Sequence, residues 1–186
     1  MSLAWKIGTG TLTLIQGDIT TADVDAVVNA ANPQLAGGGG VDGAIQNAAG
    51  PELLKAGRSL VEQYGNLAPG SAVVTPGFDL AAGRVIHAVG PIWNGGEFNE
   101  ERILESAYRA CLEIAESEGL KTIAFPAISC GAYGFPVEKA APIALRVFQE
   151  HLADNAVQDI RMYLHSSEDF SLWKEQAQRL LGQPQS

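Results

Sequence analysis

The sequence predicts an α/β fold, a three-layer sandwich with helices on both faces of a mixed, largely parallel sheet. Three observations carry this. Short β-branched runs alternate with helix-length amphipathic stretches. Most strands are followed directly by a helix, the order of a sheet buried on both faces. No linker and no internal repeat interrupts the alternation, and 186 residues suffice for one domain but hardly for two. The expectation is a single domain over residues 1–186.

Each element has its own signal. TLTLIQ (11–16) and DAVVNA (25–30) read as the first strands, and a helix is expected to start near Val41 after a run of glycines. Residues 51–64 open with Pro51 at a first helical position and Glu52 in the first turn, and Gly65 stops them. GSAVVT (70–75) and RVIHAV (84–89) follow as strands. Segment 99–118 carries Ile103, Ala107, Cys111 and Ile114 at helical spacing, which places Cys111 in the core. KTIAFPAI (121–128) is a strand, and 136–153 a helix in which Pro142 predicts a kink or a late start. DIRMYLHS (159–166) ends the strands, and Ser167, Glu168 and Asp169 cap a last helix over 168–181.

Composition excludes several classes of function. The chain is 46% hydrophobic and 18% charged, with mean hydropathy +0.05 and no apolar run long enough to span a membrane. The start, MSLAWKIGTG, lacks the pattern of a secretory signal, so a cytoplasmic protein is expected. Cys111 and Cys130 make no disulfide framework, and His87, His151 and His165 are not spaced as metal ligands, so neither metal nor cofactor is expected. A net charge of −9 argues against nucleic acid as a partner.

Glycine marks the candidate site. The stretch NAANPQLAGGGGVDGAIQNAAG (29–50) leaves an apolar strand and enters a helix through Gly37–Gly40; PAISCGAYGFP (126–136) repeats the strand, loop and helix order. Such loops let a backbone approach an anion and present its N–H groups at a helix N-terminus. Neither loop has the ending of a nucleotide P-loop or of a Rossmann turn. No Lys or Arg lies between Lys6 and Lys55 or between Lys121 and Lys139. A phosphate held here is held by backbone, which suits a diphosphate in a cleft better than a polynucleotide on a surface.

Five motifs, GDIT (17–20), NAAN (29–32), GGGGVDGAI (37–45), IHAVGPIW (86–93) and PAISCGAYGFP (126–136), occur in an order that closely resembles the macrodomain family and its MacroD-type branch. The resemblance spans about residues 12 to 170. It implies ADP-ribose binding at the ends of the central strands. It also implies hydrolysis of O-acetyl-ADP-ribose and of ADP-ribose esters on protein Asp or Glu, so that ADP-ribosylated proteins are further partners. By motif, Asp18 would accept from the adenine amino group beside Ile19, the alternative being that it caps a turn before Thr20. Asn32 and Asp42 would face the distal ribose as catalytic residues, Asn32 orienting a hydroxyl and Asp42 aligning or deprotonating a water, with activation by the substrate diphosphate as the alternative.

Gly39, Gly40 and Val41 would meet the diphosphate together with Ser129, Gly131 and Ala132, while Tyr133 closes over the distal ribose and Phe170 is a candidate to stack on adenine, the alternative being a place in the core. Asn29 is read as a brace, His87 as a hydrogen-bonded core histidine, and Cys130 as structural rather than nucleophilic. The chain departs from the family at Gln46, where many members have histidine; this bears on turnover more than on binding. A non-catalytic reader of ADP-ribose is the alternative to an esterase, because the two share one cleft.

Overall fold

The computed structural model describes residues 1–154 and 157–185. Its centre is a seven-stranded sheet with β1 at Ser2–Ile7, β2 at Gly10–Gln16, β3 at Ala26–Ala30, β4 at Ala72–Pro76, β5 at Arg84–Ala88, β6 at Thr122–Phe125 and β7 at Asp159–Leu164. The spatial order is β1-β2-β7-β6-β3-β5-β4. The five inner strands run parallel; β1 and β4 pair antiparallel at the two edges. The predicted mixed, largely parallel sheet is therefore observed.

Helices α1 (Gly40–Ala49) and α2 (Pro51–Tyr64) lie with the 3-10 turn Ile19–Thr21 on one side, and α3 (Glu100–Ser117), α4 (Val137–Asp154) and α5 (Ser167–Leu181) on the other. The inner strands alternate between the two layers. Ala26, Val28, Ile86, Ile123 and Phe125 join the α3–α5 core, whereas Val27, Val85 and Ala124 join the α1 core. Both faces of these strands are covered, which is why their sequences read as unbroken apolar runs.

Four local readings change. Strand β1 was not expected: it pairs with β2 in register from Ser2 opposite Ile15 to Ile7 opposite Gly10, across a two-residue turn at Gly8 and Thr9. Strand β6 ends at Phe125 because Pro126 cannot continue the ladder. Helix α4 passes through Pro142 from Val137; so close to the start, the missing N–H deprives only the Glu138 carbonyl of its partner. Helix α5 begins one residue early, capped by Ser166 Oγ, which accepts from Asp169 N at 3.0 Å.

Candidate active site

The parallel strands β3, β6 and β7 end on one side of the sheet, and their loops enclose a cleft there, where ligands bind in open α/β sheets. The loop after β3 folds back so closely on α1 that a Cβ at Gly43 would stand 2.6 Å from the Gly38 carbonyl oxygen. Asn32 clips the same loop, accepting from Ala36 N at 3.0 Å and donating to Gly37 O at 2.9 Å. One N–H of its amide remains for another acceptor. Across the cleft, the loop after β6 presses on β5, since a Cβ at Gly90 would lie 2.1 Å from Ser129 Oγ.

Two cavities form the cleft. One, about 470 Å³, lies between Asp18 and Ile19 on one wall and Tyr163, His165 and Asp169 on the other. The second, about 300 Å³, is bounded by Asn32, Asp42, Gly90, Ser129, Ala132 and Tyr133. They are continuous through Gly40, Val41, Ala127 and Gly131. Neither is lined by Lys or Arg. The first turn of α1 has no side-chain cap on its Gly39 N-cap, so its amides are free to meet an anion.

Two glycines of this lining have no internal reason to be glycine. Gly39 and Gly131 are not in the left-handed region, and a Cβ on either would meet no atom within 4 Å. Both border the second cavity, so what their small size spares is the space of a ligand. Ser129 shows the opposite, a non-glycine residue at φ +65° whose buried hydroxyl has no hydrogen-bond partner among the described residues. Strain and an orphaned donor in one residue at a cleft mark a functional position.

Asp42 is 5% exposed at the third position of α1. Its Oδ1 accepts from Asn29 Nδ2 at 2.8 Å, with Gln46 Nε2 at 3.4 Å, and Oδ2 has no protein donor among the described residues. Behind it runs a buried polar chain. Asn29 Nδ2 lies 3.2 Å from His87 Nδ1, and His87 Nε2 lies 3.0 Å from Thr75 Oγ1. An amide nitrogen only donates, so Nδ1 accepts and the ring proton sits on Nε2, facing Thr75. Burial pushes the His87 pKa down to about 4, which keeps the ring neutral. Asn29 and His87 are thus the brace and the satisfied core histidine expected of them. Burial also pushes the Cys130 thiol up to about 12, aided by Asp169 and Glu138, so it stays protonated and no nucleophile forms.

Some sequence readings are corrected. Asp18 is exposed, and its Oδ1 caps the following turn, accepting from Thr20 N at 2.9 Å and Thr20 Oγ1 at 2.8 Å. It lines the larger cavity nonetheless, so the turn-capping and cleft-facing readings hold together. Phe170 is 2% exposed and belongs to the core, so it is not free to stack on a base; its apolar contacts fix the start of α5. The aromatic groups bordering that cavity are Tyr163 and His165, which no motif singled out. They lie at and just after the end of β7, and only strand order reveals that this end lies beside Asp18. Asp42 sits inside the first turn of α1, after the Gly39 N-cap. Among the described residues, no group of three or more His, Cys, Asp or Glu could hold a metal ion.

The chain belongs to the macrodomain family: the Macro domain family model matches residues 28–144. It is 48% identical to an O-acetyl-ADP-ribose deacetylase of Cronobacter sakazakii over 94% of this chain and 95% of that protein. It is 57% identical to an O-acetyl-ADP-ribose deacetylase of an Enterobacter species over 75% of this chain and 77% of the other. An Oceanobacillus iheyensis macrodomain solved with ADP superposes with a TM-score of 0.93 at 43% identity, covering 97% of this chain and 96% of that one. A Trypanosoma brucei macrodomain in complex with ADP-ribose gives 0.81 at 32% identity, over 88% and 68%.

Proposed function

We propose that this protein binds ADP-ribose and hydrolyses its esters, O-acetyl-ADP-ribose foremost and mono-ADP-ribose esters of protein Asp and Glu as well. The observation that carries the reading is Asp42, a buried carboxylate with one oxygen tethered by Asn29 and the other open, at one end of a cleft whose backbone donors are unclaimed. The amides of Gly39, Gly40, Val41, Gly131 and Ala132 receive the diphosphate, and Ser129 offers it a hydroxyl. Asp18 and Ile19 take the adenine at the far wall. Asn32 directs its spare N–H at a distal ribose hydroxyl, and Tyr133 covers that ribose.

Water held by Asp42 Oδ2 then adds to the ester carbonyl carbon. The bond from acyl carbon to ribose oxygen breaks, the ribose oxygen leaves as a hydroxyl with one proton, and the carboxylic acid departs. Asp42 aligns the water or takes its proton, and the substrate diphosphate is the second group that can take it. Family members named as deacetylases at this level of identity support the enzyme over the reader. Free thiols at Cys111 and Cys130 suit a reducing, cytoplasmic setting, and residues 1–186 act as one macrodomain in this reading. No helix among the described residues is long and apolar enough to cross a membrane.

The test is incubation with O-acetyl-ADP-ribose and with an aspartyl- or glutamyl-ADP-ribosylated protein, products read by mass. Free ADP-ribose with acetate, or with unmodified protein, is expected. Binding of ADP-ribose without hydrolysis of either ester makes the protein a reader, and Gln46→His then asks whether histidine restores turnover.

A further inference from the structure

A third cavity, about 230 Å³, adjoins the end of the cleft that holds Asp42. Gly90 and Tyr133 line both, and Pro33, the neighbour of Asn32, forms part of its wall. The remaining walls are mostly apolar, with Pro69, Val89, Pro91 and Ile103 inside and Ile92 and Phe98 at the rim; Asn94 and Glu100 are the polar residues among them. Ile92 is 56% and Phe98 66% exposed, so the rim joins two apolar side chains into one patch at the mouth of the cavity.

The rim is built to stay in place. Glu100, buried at the first position of α3, accepts from Asn94 N at 2.9 Å, Gly96 N at 3.1 Å and Phe98 N at 2.7 Å. Burial works against its charge, but these donated amides outweigh it and hold the carboxyl below the usual range. Trp93 N donates to Tyr133 O at 2.9 Å, and the Trp93 ring packs on Phe135 at 4.6 Å between centroids. The segment carrying Ile92 and Phe98 is thus tied to the loop that covers the distal ribose.

We propose that this cavity is an acyl subsite, and that the protein accepts ADP-ribosyl esters of uncharged aliphatic acids longer than acetate. This rests on the esterase reading above. An acetyl methyl would leave most of the space unfilled, whereas an apolar cavity of about 150 Å³ already holds a molecule the size of benzene. No Lys or Arg lines it, and its one carboxylate, Glu100, is committed to backbone amides, so an acyl chain ending in a carboxylate meets no cation there and sits beside a like charge.

The experiment compares O-acetyl-, O-butyryl- and O-succinyl-ADP-ribose on the wild type and on the rim variant Ile92→Ser/Phe98→Ser. Each buried methylene is worth up to about fourfold in kcat/KM, so butyryl should exceed acetyl by about tenfold and succinyl should fall below acetyl. The variant should lose the butyryl advantage and keep acetyl turnover within about twofold. Binding of the non-hydrolysable acetamido and butyramido analogues reads the subsite without turnover. Tighter butyramide binding, lost in the rim variant, upholds it even if no ester is cleaved, in which case the esterase reading alone falls. Butyryl and butyramide no better than their acetyl counterparts would overturn it. So would a rim variant that slows only a protein-linked ester, which would make the rim a protein-docking edge.

Discussion

Replacing Gly131 by alanine separates the needs of the fold from the needs of the ligand. The residue lies outside the left-handed region, and the new Cβ would touch nothing within 4 Å. Folding should therefore be unharmed or improved by about 0.4–1 kcal/mol, since alanine narrows the unfolded ensemble. Gly131 borders both halves of the cleft, however, and a methyl there holds a diphosphate off the loop amides. Losing one hydrogen bond to a charged group costs about 1.5–3 kcal/mol, or roughly ten- to 150-fold in affinity. Gly119→Ala is the converse control: at φ +69° beyond the end of α3 it should cost about 1–2 kcal/mol of stability and leave binding alone. Thermal unfolding and calorimetric titration with ADP-ribose read both quantities. Wild-type affinity in Gly131→Ala would refute the assignment of that loop to the diphosphate.

Three further outcomes are expected. His87 is held near 4 against 6.5 for the free side chain, so acid loads the proton onto the unfolded chain first. Stability is then complete above about pH 6.5 and falls by about 3 kcal/mol toward pH 4; denaturant titrations across that range should show a shallower slope in His87→Gln, the remainder including His151, which burial also lowers. Asp18→Ala should weaken ADP-ribose binding about ten- to 150-fold and cost about 1 kcal/mol of stability through the lost turn cap, so equal calorimetric binding would remove Asp18 from the adenine wall. Hydrolysis should persist in EDTA; abolition by chelator with recovery on adding a divalent ion would overturn the metal-free mechanism.

How far the sequence foretold this can be judged residue by residue. Helices α2, α3 and α5 were legible because Pro51, Glu100 and the Ser167–Asp169 stretch lie at their starts and Gly65 and Gly119 follow the ends of the first two. Strand β1 was not legible because it is a short edge strand whose alternating Leu3, Trp5 and Ile7 are set among Ser2, Ala4 and Lys6, and its turn is Gly8-Thr9 rather than a strong hairpin dipeptide. Asn32, Asp42 and Ser129 were singled out by motif, but that Asn29 tethers Asp42 and leans on His87, which in turn meets Thr75, depends on β3, β5 and β4 lying side by side, an order that local spacing does not encode. The same gap hid Tyr163 and His165. Phe170 was misplaced because an aromatic at a helix start looks alike from sequence whether it faces a cleft or the core.

The central claim is that Asp42 serves the reaction rather than the hold on ADP-ribose. Asp42→Ala and Asp42→Asn, compared with the wild type for single-turnover hydrolysis of O-acetyl-ADP-ribose and for calorimetric binding of ADP-ribose, test it most directly. The account predicts a rate about 10²–10⁴-fold lower in both variants with affinity near that of the wild type, because contact with the attacking water strengthens only toward the transition state. A rate that falls only in step with affinity, or does not fall at all, would contradict it.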